Sequence, residues 1–379
     1  MRSPLVVLFS LAAVAVTGAG AEAAILEVCA SGCDYTAIQS AMDAATSGDI
    51  VLVHPGAYVE NVVTRGGVTL RSLAGPEVTT IDGGGLGSVV TMASGTLEGF
   101  TITNGDASMG GGINHDYYVS TTIRSCIVTG NNGSGISLGI EGADAIIVDS
   151  TVYGNSGSAV SVGFNSSLTM TNCVLSGNGT GVSCGGESAY LTASGCTFTG
   201  NEGTGIDIGW CWAELTNCTI AGNAGYGVHS VAGGGALLQD TTVARNLAGA
   251  ALGYVDNIDA RNSIIMGQFG SATFGSVTYS DVDGGWPGEG NIDADPLFVD
   301  PMPPEAAPTS AGDYHLLAGS PCIDTGTAEG APLVDVDCEV RPWGAGFDMG
   351  SDEVGSIPAL IFADGFNSGD TSAWSVTVP

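Results

Sequence analysis

Asp207 and His229 occupy equivalent positions in successive sequence repeats and could carry out acid–base chemistry. Each lies in a short run that alternates polar and apolar residues. A carboxylate beside an imidazole can move protons near neutral pH. The alternative is a pair of solvated surface residues, because no third partner and no nucleophile accompanies them in the sequence.

Aromatic and acidic residues are concentrated in the same two repeats. Tyr190, Trp210 and Trp212 are interspersed with Glu187 and Glu214, and the repeat places Tyr190 directly beside Trp212. Sugar rings pack their C–H faces on exposed aromatic rings, and their hydroxyls hydrogen-bond to carboxylates. The two glutamates could also be the paired carboxylates of a glycoside hydrolase, although the sequence does not fix their separation. The alternative is an aromatic ladder that only protects a corner of the fold.

Closely spaced aspartates are candidate ligands for a divalent cation. Calcium is the cofactor expected there, because it takes carboxylate and carbonyl oxygens from acid-rich loops. In a chain this acidic, such groups also arise by chance. The candidate groups are Asp281 with Asp283, Asp293 with Asp295, and Asp335 with Asp337 and Asp348.

The charge balance excludes several classes of partner. The 379 residues include 39 acidic and 7 basic ones, which gives a formal net charge of −32, and every basic residue is arginine. Nucleic acids and anionic membrane surfaces would repel such a chain. A polyanionic ligand would need a divalent cation as a bridge. Hydrophobic residues at 44% indicate a folded chain rather than a disordered one.

The N-terminal residues are typical of a secretory signal. Arg2 precedes an apolar run over residues 5–16, and Ala21-Glu22-Ala23 fits a cleavage site. We therefore expect a signal peptide over residues 1–23 and a secreted or bacterial cell-surface protein; a retained N-terminal anchor is the alternative. No later stretch has the length of a transmembrane helix.

The elements that position these residues follow from an internal repeat. An Asn recurs at positions 131, 155, 178, 201, 223 and 246, so successive copies are 22 to 24 residues apart. Each repeat contains three short runs with period 2 and Gly-rich corners between them. A period of this size with three strands predicts an all-β fold, a right-handed three-sided parallel β-helix. The Asn row is predicted to be structural, with side-chain amides bonded between coils.

The alternation also predicts which residues fill the interior. One apolar residue per coil should point inward in the Asn run, namely Val128, Val152, Leu175, Phe198, Ile220 and Val243. Cys173, Cys196 and Cys218 share one repeat position, so a stacked row of free thiols and one disulfide between adjacent coils are both open. The close pairs Cys29/Cys33 and Cys322/Cys338 are predicted to be local disulfides.

The first coil and its cap carry a family resemblance. Residues 35–45 place Ile38, Ala41, Met42 and Ala45 at helical spacing, which predicts a short capping helix. The segments that follow, at 48–58, 68–72 and 80–83, resemble secreted pectin-lyase-like β-helix proteins. The resemblance covers roughly residues 34–290. It implies the fold, and says little about function.

A second resemblance covers the C-terminal part. Its elements, in order, are residues 291–298, 313–316, 319–326, 335–337, 341–342 and 348–350. This series resembles the end of bacterial surface β-helix proteins known as the choice-of-anchor family, which implies a cap before an anchoring or sorting element. The expected organisation is a signal peptide (1–23), a β-helix with its N-terminal cap (24–289), a C-terminal cap or anchor-type segment (290–355) and a short tail (356–379).

Catalytic motifs of the resembled family are missing. Polygalacturonase-type members carry paired Asp motifs, a Gly-His-Gly and an Arg-x-Lys, and none occurs here. A lyase needs a basic proton acceptor, for which only Arg124, Arg245 and Arg261 are available in the coils. The favoured hypothesis is a secreted protein that contacts extracellular polysaccharide or a cell-surface glycan. The alternatives are a polysaccharide lyase or glycoside hydrolase, and a non-catalytic structural or adhesive surface protein.

Overall fold

The computed structural model describes residues 23–139, 141–229, 233–248, 257–267 and 274–355. The chain winds into a right-handed parallel β-helix of about 10 turns, which confirms the predicted fold class. The predicted signal peptide, except for its last residue, and the predicted tail lie outside the described residues. In the part of the chain that is described, no helix has the length and apolar character needed to span a membrane.

Three parallel sheets form the sides of the solenoid, and each coil contributes one strand to each complete side. Sheet A has twelve strands: β1 (Ile25–Val28), β2 (Ile50–Val53), β5 (Val68–Ser72), β8 (Gly95–Glu98), β11 (Ser120–Arg124), β14 (Asp144–Val148), β17 (Ser167–Thr171), β20 (Tyr190–Ser194), β23 (Trp212–Thr216), β26 (Gly235–Gln239), β28 (Asn257–Arg261) and β30 (Phe274–Thr278).

Sheet B contains the strands that precede the Asn corner: β3 (Gly56–Val59), β6 (Thr79–Asp82), β9 (Thr101–Thr103), β12 (Ile127–Thr129), β15 (Thr151–Tyr153), β18 (Val174–Ser176), β21 (Thr197–Thr199), β24 (Thr219–Ala221), β27 (Thr242–Ala244), β29 (Ile264–Ile265) and β31 (Asp281–Val282). Sheet C contains the strands that come after that corner: β4 (Val62–Val63), β7 (Val90–Met92), β10 (Ile113–His115), β13 (Ile136–Ser137), β16 (Ser158–Val162), β19 (Thr180–Cys184), β22 (Ile206–Ile208) and β25 (Val228–His229).

The interior is filled by stacked apolar rows, as the alternation predicted. The inward residues of the Asn run are fully or almost fully buried: Val128, Val152, Leu175, Phe198, Ile220 and Val243. The strand register pairs each of these residues with its copy in the next coil. Burial of this row contributes to stability together with the other apolar rows of the core, because each coil removes its inward side chains from water.

The Asn row forms a hydrogen-bonded ladder, which confirms its predicted structural role. Asn178 Nδ2 donates to Asn201 Oδ1 at 3.3 Å and to the Val152 carbonyl at 2.9 Å, and Asn178 Oδ1 accepts from Asn155. The residue before each Asn has positive φ and is usually glycine, as at Gly177. A glycine is favoured there because a Cβ atom is strained in that conformation.

The cysteines only partly follow the prediction. Cys29 and Cys33 form the predicted disulfide, but Cys322 and Cys338 are free thiols, so that predicted pair is wrong. The Cys322 thiol is buried and donates a hydrogen bond to Asp281 Oδ2 at 3.3 Å. The row of Cys173, Cys196 and Cys218 is buried and free.

The N-terminal helix α1 (Ile38–Ala44) covers the first coils, as predicted. Its buried side chains are Ile38, Ala41 and Met42. The Glu60 carboxylate of a neighbouring coil accepts hydrogen bonds from the Ile38 and Gln39 amides at 2.9 and 3.0 Å. These bonds satisfy two amide groups that lack partners at the start of any helix.

The C-terminal segment packs along the outward side of sheet B. It includes the antiparallel pair β32 (Phe298–Asp300) and β33 (Asp313–Leu316) and the short 3₁₀ helix η1 (Pro304–Ala306). A second apolar core joins this segment to the solenoid, and consists of Ala221, Ala244, Ile264, Phe298, Tyr314, Leu316, Cys322 and Met349. The segment therefore covers the last coils from the side.

Candidate functional site

Sheet A presents two aromatic side chains in register. Tyr190 begins β20 and is the direct neighbour of Trp212 at the start of β23. Tyr190 is 56% exposed, and Trp212 is half-buried. Successive side chains of a strand point to opposite faces. Leu191 and Ala213 point into the core, so the rings of Tyr190 and Trp212 stand on the outward side. The predicted pair is therefore brought together.

Trp210 stands on the corner just before Trp212. Its side chain is 54% exposed and covers Gly233 of the next coil, where an added Cβ would lie 2.7 Å from the indole. Gly233 therefore leaves the space that the indole occupies. We call the three predicted aromatic residues together the aromatic face (Tyr190, Trp210 and Trp212).

The two predicted glutamates lie at different places on this surface. Glu214 follows Trp212 on the same side of β23 and is exposed, with Thr192 as its register partner. Glu187 is exposed on the corner before β20. The structure thus places Glu214 beside the aromatic face and Glu187 at its edge.

A disulfide that the sequence analysis missed holds this corner. Cys184 ends β19 and is joined to Cys211, which lies between the two tryptophans. The two cysteines are 27 residues apart, which is longer than the repeat, so they do not fall on one repeat row. Both cysteines lie close to glycines of the same corner, and this was the feature of the sequence that could have indicated the disulfide.

Asp207 and His229 meet on sheet C, as the repeat predicted. They are register partners in β22 and β25, and His229 Nδ1 lies 3.1 Å from Asp207 Oδ1. The imidazole also stacks on Tyr226, with ring centroids 4.9 Å apart and planes at 7°. The arrangement can hold or transfer a proton.

The predicted calcium ligands differ in their exposure to solvent. Asp281 is fully buried and accepts hydrogen bonds from the Ala294 amide and the Cys322 thiol; burial raises the pKa of its carboxyl group. Three of the other candidates, Asp283, Asp293 and Asp295, line an open cavity of about 560 Å³ together with Arg245. Each of these three accepts a hydrogen bond from a backbone amide.

Arg245 is distinctive among the basic residues considered for catalysis. It replaces the usual glycine before Asn246 and keeps the positive φ, at 57°. Its buried Nε has no hydrogen-bond partner among the described residues. Arg261 instead pairs with Glu329 at 3.2 Å, and Arg124 is exposed on sheet A.

A second cluster lies within the C-terminal segment, beside the cleft that separates this segment from sheet B. His315 contacts Asp313 through Nδ1 and Asp337 through Nε2, the latter at 2.5 Å. The hydrogen bond with Asp337 is the main reason that the pKa of His315 rises to about 10. The cluster borders a cleft of about 560 Å³. Sequence reasoning missed His315, because its partners come from segments without a repeat.

A family model and one solved structure agree with the fold. Residues 77–211 match the family model described as a right-handed beta helix region. The crystal structure of pectate lyase Pel9A is similar with a TM-score of 0.58 at 14% identity, over 88% of this chain and 96% of that chain. The A-module of the Azotobacter vinelandii mannuronan C-5 epimerase AlgE4 has a TM-score of 0.40 at 18% identity, over 65% of this chain and 86% of that chain. No curated protein matches.

Proposed function

We propose that this chain is an exported β-helix protein that binds an extracellular polysaccharide along its aromatic face. The observation that carries the proposal is the register pairing of Tyr190 with Trp212 on the outward side of sheet A. Stacked strands lie about 4.8 Å apart, so the two rings project from adjacent strands on the same face. A sugar ring can pack on such a surface with its C–H groups.

The neighbouring row supplies hydrogen-bonding groups along the solenoid axis. Thr169, Thr192 and Glu214 are successive register partners on the outward side of sheet A, and all three are exposed. Hydroxyl and carboxylate oxygens that recur once per coil can hydrogen-bond to the hydroxyls of consecutive sugar units. The straight row therefore suits an extended polymer better than a compact ligand.

The charge of the protein favours a neutral or cationic glycan. With a formal charge of −32, the surface repels a polyanion unless a divalent cation bridges them. The fold likeness to a pectate lyase supports a carbohydrate as the class of partner. Binding assays should therefore include neutral, cationic and anionic polysaccharides, with and without Ca²⁺.

The test compares three variants of residues 24–379 in pull-down and affinity electrophoresis. Trp212→Ala and Tyr190→Ala should weaken binding about tenfold or more, because each removes part of the stacking surface. Tyr153→Ala is the matched control, since Tyr153 is 43% exposed on sheet B, away from the aromatic face. Equal binding by all variants, or no binding by the unchanged protein, would leave a structural surface protein as the better account.

A catalytic role is the second candidate, favoured by the 3.1 Å contact between Asp207 and His229. Such a pair can act as general acid or base on a bound sugar. The same glycan panel is followed by absorbance of unsaturated products and by reducing-end release. Asp207→Asn and His229→Gln should abolish product while glycan binding persists; the absence of product with the unchanged protein removes the catalytic candidate.

A further inference from the structure

Four side chains converge where strand β33 meets the following loops of the C-terminal segment. His315 projects outward from β33, and its two ring nitrogens contact Asp313 and Asp337. Asp352 is buried next to them and accepts the Leu316 amide at 2.7 Å through one oxygen. Its carboxylate, the Asp337 carboxylate and the His315 ring each offer an atom within 4.8 Å of the other two.

The charges in this cluster are unbalanced. Three carboxylates surround one imidazole, so even a protonated His315 leaves two negative charges without a partner in the cluster. The protein as a whole has a formal charge of −32, which adds to the repulsion. A bound divalent cation would compensate the two remaining charges at the place where the carboxylates are closest.

The orientation of the imidazole also fits a metal ligand. Histidines that bind metals commonly donate their second ring N–H to a carboxylate, which sets the tautomer and turns the other nitrogen toward the metal. Here Asp313 contacts Nδ1, and Nε2 is hydrogen-bonded to Asp337 at 2.5 Å, so a metal ion would take the place of the proton between these two atoms. Ligand atoms bonded to one tetrahedral ion at about 2.0 to 2.2 Å lie roughly 3.3 to 3.6 Å apart, so Nε2 and the Asp337 carboxylate would move apart when the ion binds.

We infer that His315, Asp337 and Asp352 form a binding site for a first-row divalent metal ion, with Asp313 as the residue that positions the imidazole. One imidazole nitrogen and two carboxylate oxygens suit Zn²⁺ better than Ca²⁺, which takes six to eight oxygens. Three protein ligands leave a coordination position for water or for another ligand.

The open position would face the cleft between the segment and sheet B. His315, Asp337 and Asp352 all line this cleft, and so do Thr199 and Thr219 of sheet B. An ion here would be accessible from solvent, because His315 and Asp337 are exposed. The site is independent of the proposed glycan binding, which uses the outward side of sheet A.

A similar cluster elsewhere provides the control. Glu27, Cys33 and His54 also bring three donor atoms within 4.8 Å, and His54 Nε2 lies 3.2 Å from Glu27. Cys33, however, is joined to Cys29 in a disulfide and offers no thiolate. This cluster therefore has the same kind of histidine–carboxylate pair but lacks a third charged donor.

The experiment measures metal binding to untagged residues 24–379 by calorimetry and by metal analysis after dialysis, with Zn²⁺ and Ca²⁺ as probes. We expect one Zn²⁺ per chain and no comparable binding of Ca²⁺. His315→Ala and Asp337→Asn should weaken Zn²⁺ binding at least tenfold. Asp313→Asn should weaken it about 10- to 100-fold through loss of orientation, and His54→Ala should leave it unchanged.

The same experiment includes controls for the folding of each variant and for metal binding by the Cys338 thiol. Circular dichroism and thermal melts identify the variants that fold. If His315→Ala does not fold, Asp313→Asn takes its place in the test, because it retains every proposed ligand. A Zn²⁺-dependent rise in melting temperature should occur in the unchanged protein and be lost in Asp337→Asn. Equal Zn²⁺ affinity in the unchanged protein and the folded His315 or Asp313 variant overturns the inference. Binding lost in Cys338→Ser but kept in Asp337→Asn also overturns it, because the ion would then reside on the thiol at the cleft wall.

Discussion

The Arg341 guanidinium lies 3.3 Å from the Asp240 carboxylate, and both side chains are fully buried. This ion pair joins the C-terminal segment to the corner of the solenoid between sheets A and B. Arg341 also bonds Glu353 at 3.0 Å and donates to the carbonyls of Asp348 and Gly350. Burial raises the pKa of Asp240 to about 6, and the charge of Arg341 opposes that rise.

Removing this cation should detach the segment from the solenoid. Arg341→Met leaves Asp240 and Glu353 buried without their partner, which costs about 3 to 5 kcal/mol. Arg71→Met is the control, because the Arg71–Glu98 pair is solvent-exposed and exposed pairs contribute at most about 1 kcal/mol. Urea unfolding of both variants measures the difference; similar losses in both would contradict an anchoring role for Arg341.

The Asn ladder should be sensitive to the loss of one member. Asn178 is fully buried and bonds both adjacent coils, so Asn178→Ala leaves several buried polar groups without partners, at about 1 to 3 kcal/mol each. Asn132→Ala, at an exposed position next to the same ladder, should cost much less. Equilibrium unfolding of the two variants compares them, and a small effect for Asn178 would mean that water replaces the amide.

The Cys184–Cys211 disulfide should support both stability and glycan binding. Replacing both cysteines with serine removes a link across 27 residues, which contributes about 3 kcal/mol. The corner that carries Trp210 should then loosen and the affinity for glycan should fall. The Cys29/Cys33 double serine variant is the control, because that disulfide spans only 4 residues. Thermal melts and glycan pull-down test this, and unchanged affinity would show that the corner keeps its shape without the bond.

Acid should destabilise the fold through His115. This residue is buried, with Nδ1 2.8 Å from the Ser137 carbonyl and Nε2 2.7 Å from the Thr121 hydroxyl. Burial lowers its pKa from 6.5 to about 4. Between these two values the unfolded chain binds a proton that the folded chain does not, so stability falls as pH drops from 6.5 to 4, by up to about 3 kcal/mol.

The variant His115→Gln isolates this contribution, because it removes the titrating group and leaves the other acids in place. The free energy of unfolding is measured in urea at pH 7 and at pH 4.5 for both proteins. The advantage of the unchanged protein over the variant should shrink at the lower pH. An advantage that does not vary with pH would show that His115 is not kept neutral by burial.

The repeat by itself determined the coils and the rows on their surfaces. A period of 22 to 24 residues aligns each strand with its copy, so local alternation predicts which side chains stack. The Asn ladder, the inward apolar row, the Tyr190–Trp212 pairing and the Asp207–His229 contact all follow from this one register. These residues are neighbours in space and are separated in sequence by one constant period, which is why their contacts could be predicted from the sequence.

Only the tertiary structure decided the contacts that have no period. Cys184 pairs with Cys211 off the repeat, and Cys322 turns to Asp281 instead of Cys338. His315, Asp337 and Asp352 come from separate parts of a segment that folds back on sheet B. No spacing rule brings such residues together, because their positions depend on how the C-terminal segment packs against the finished solenoid.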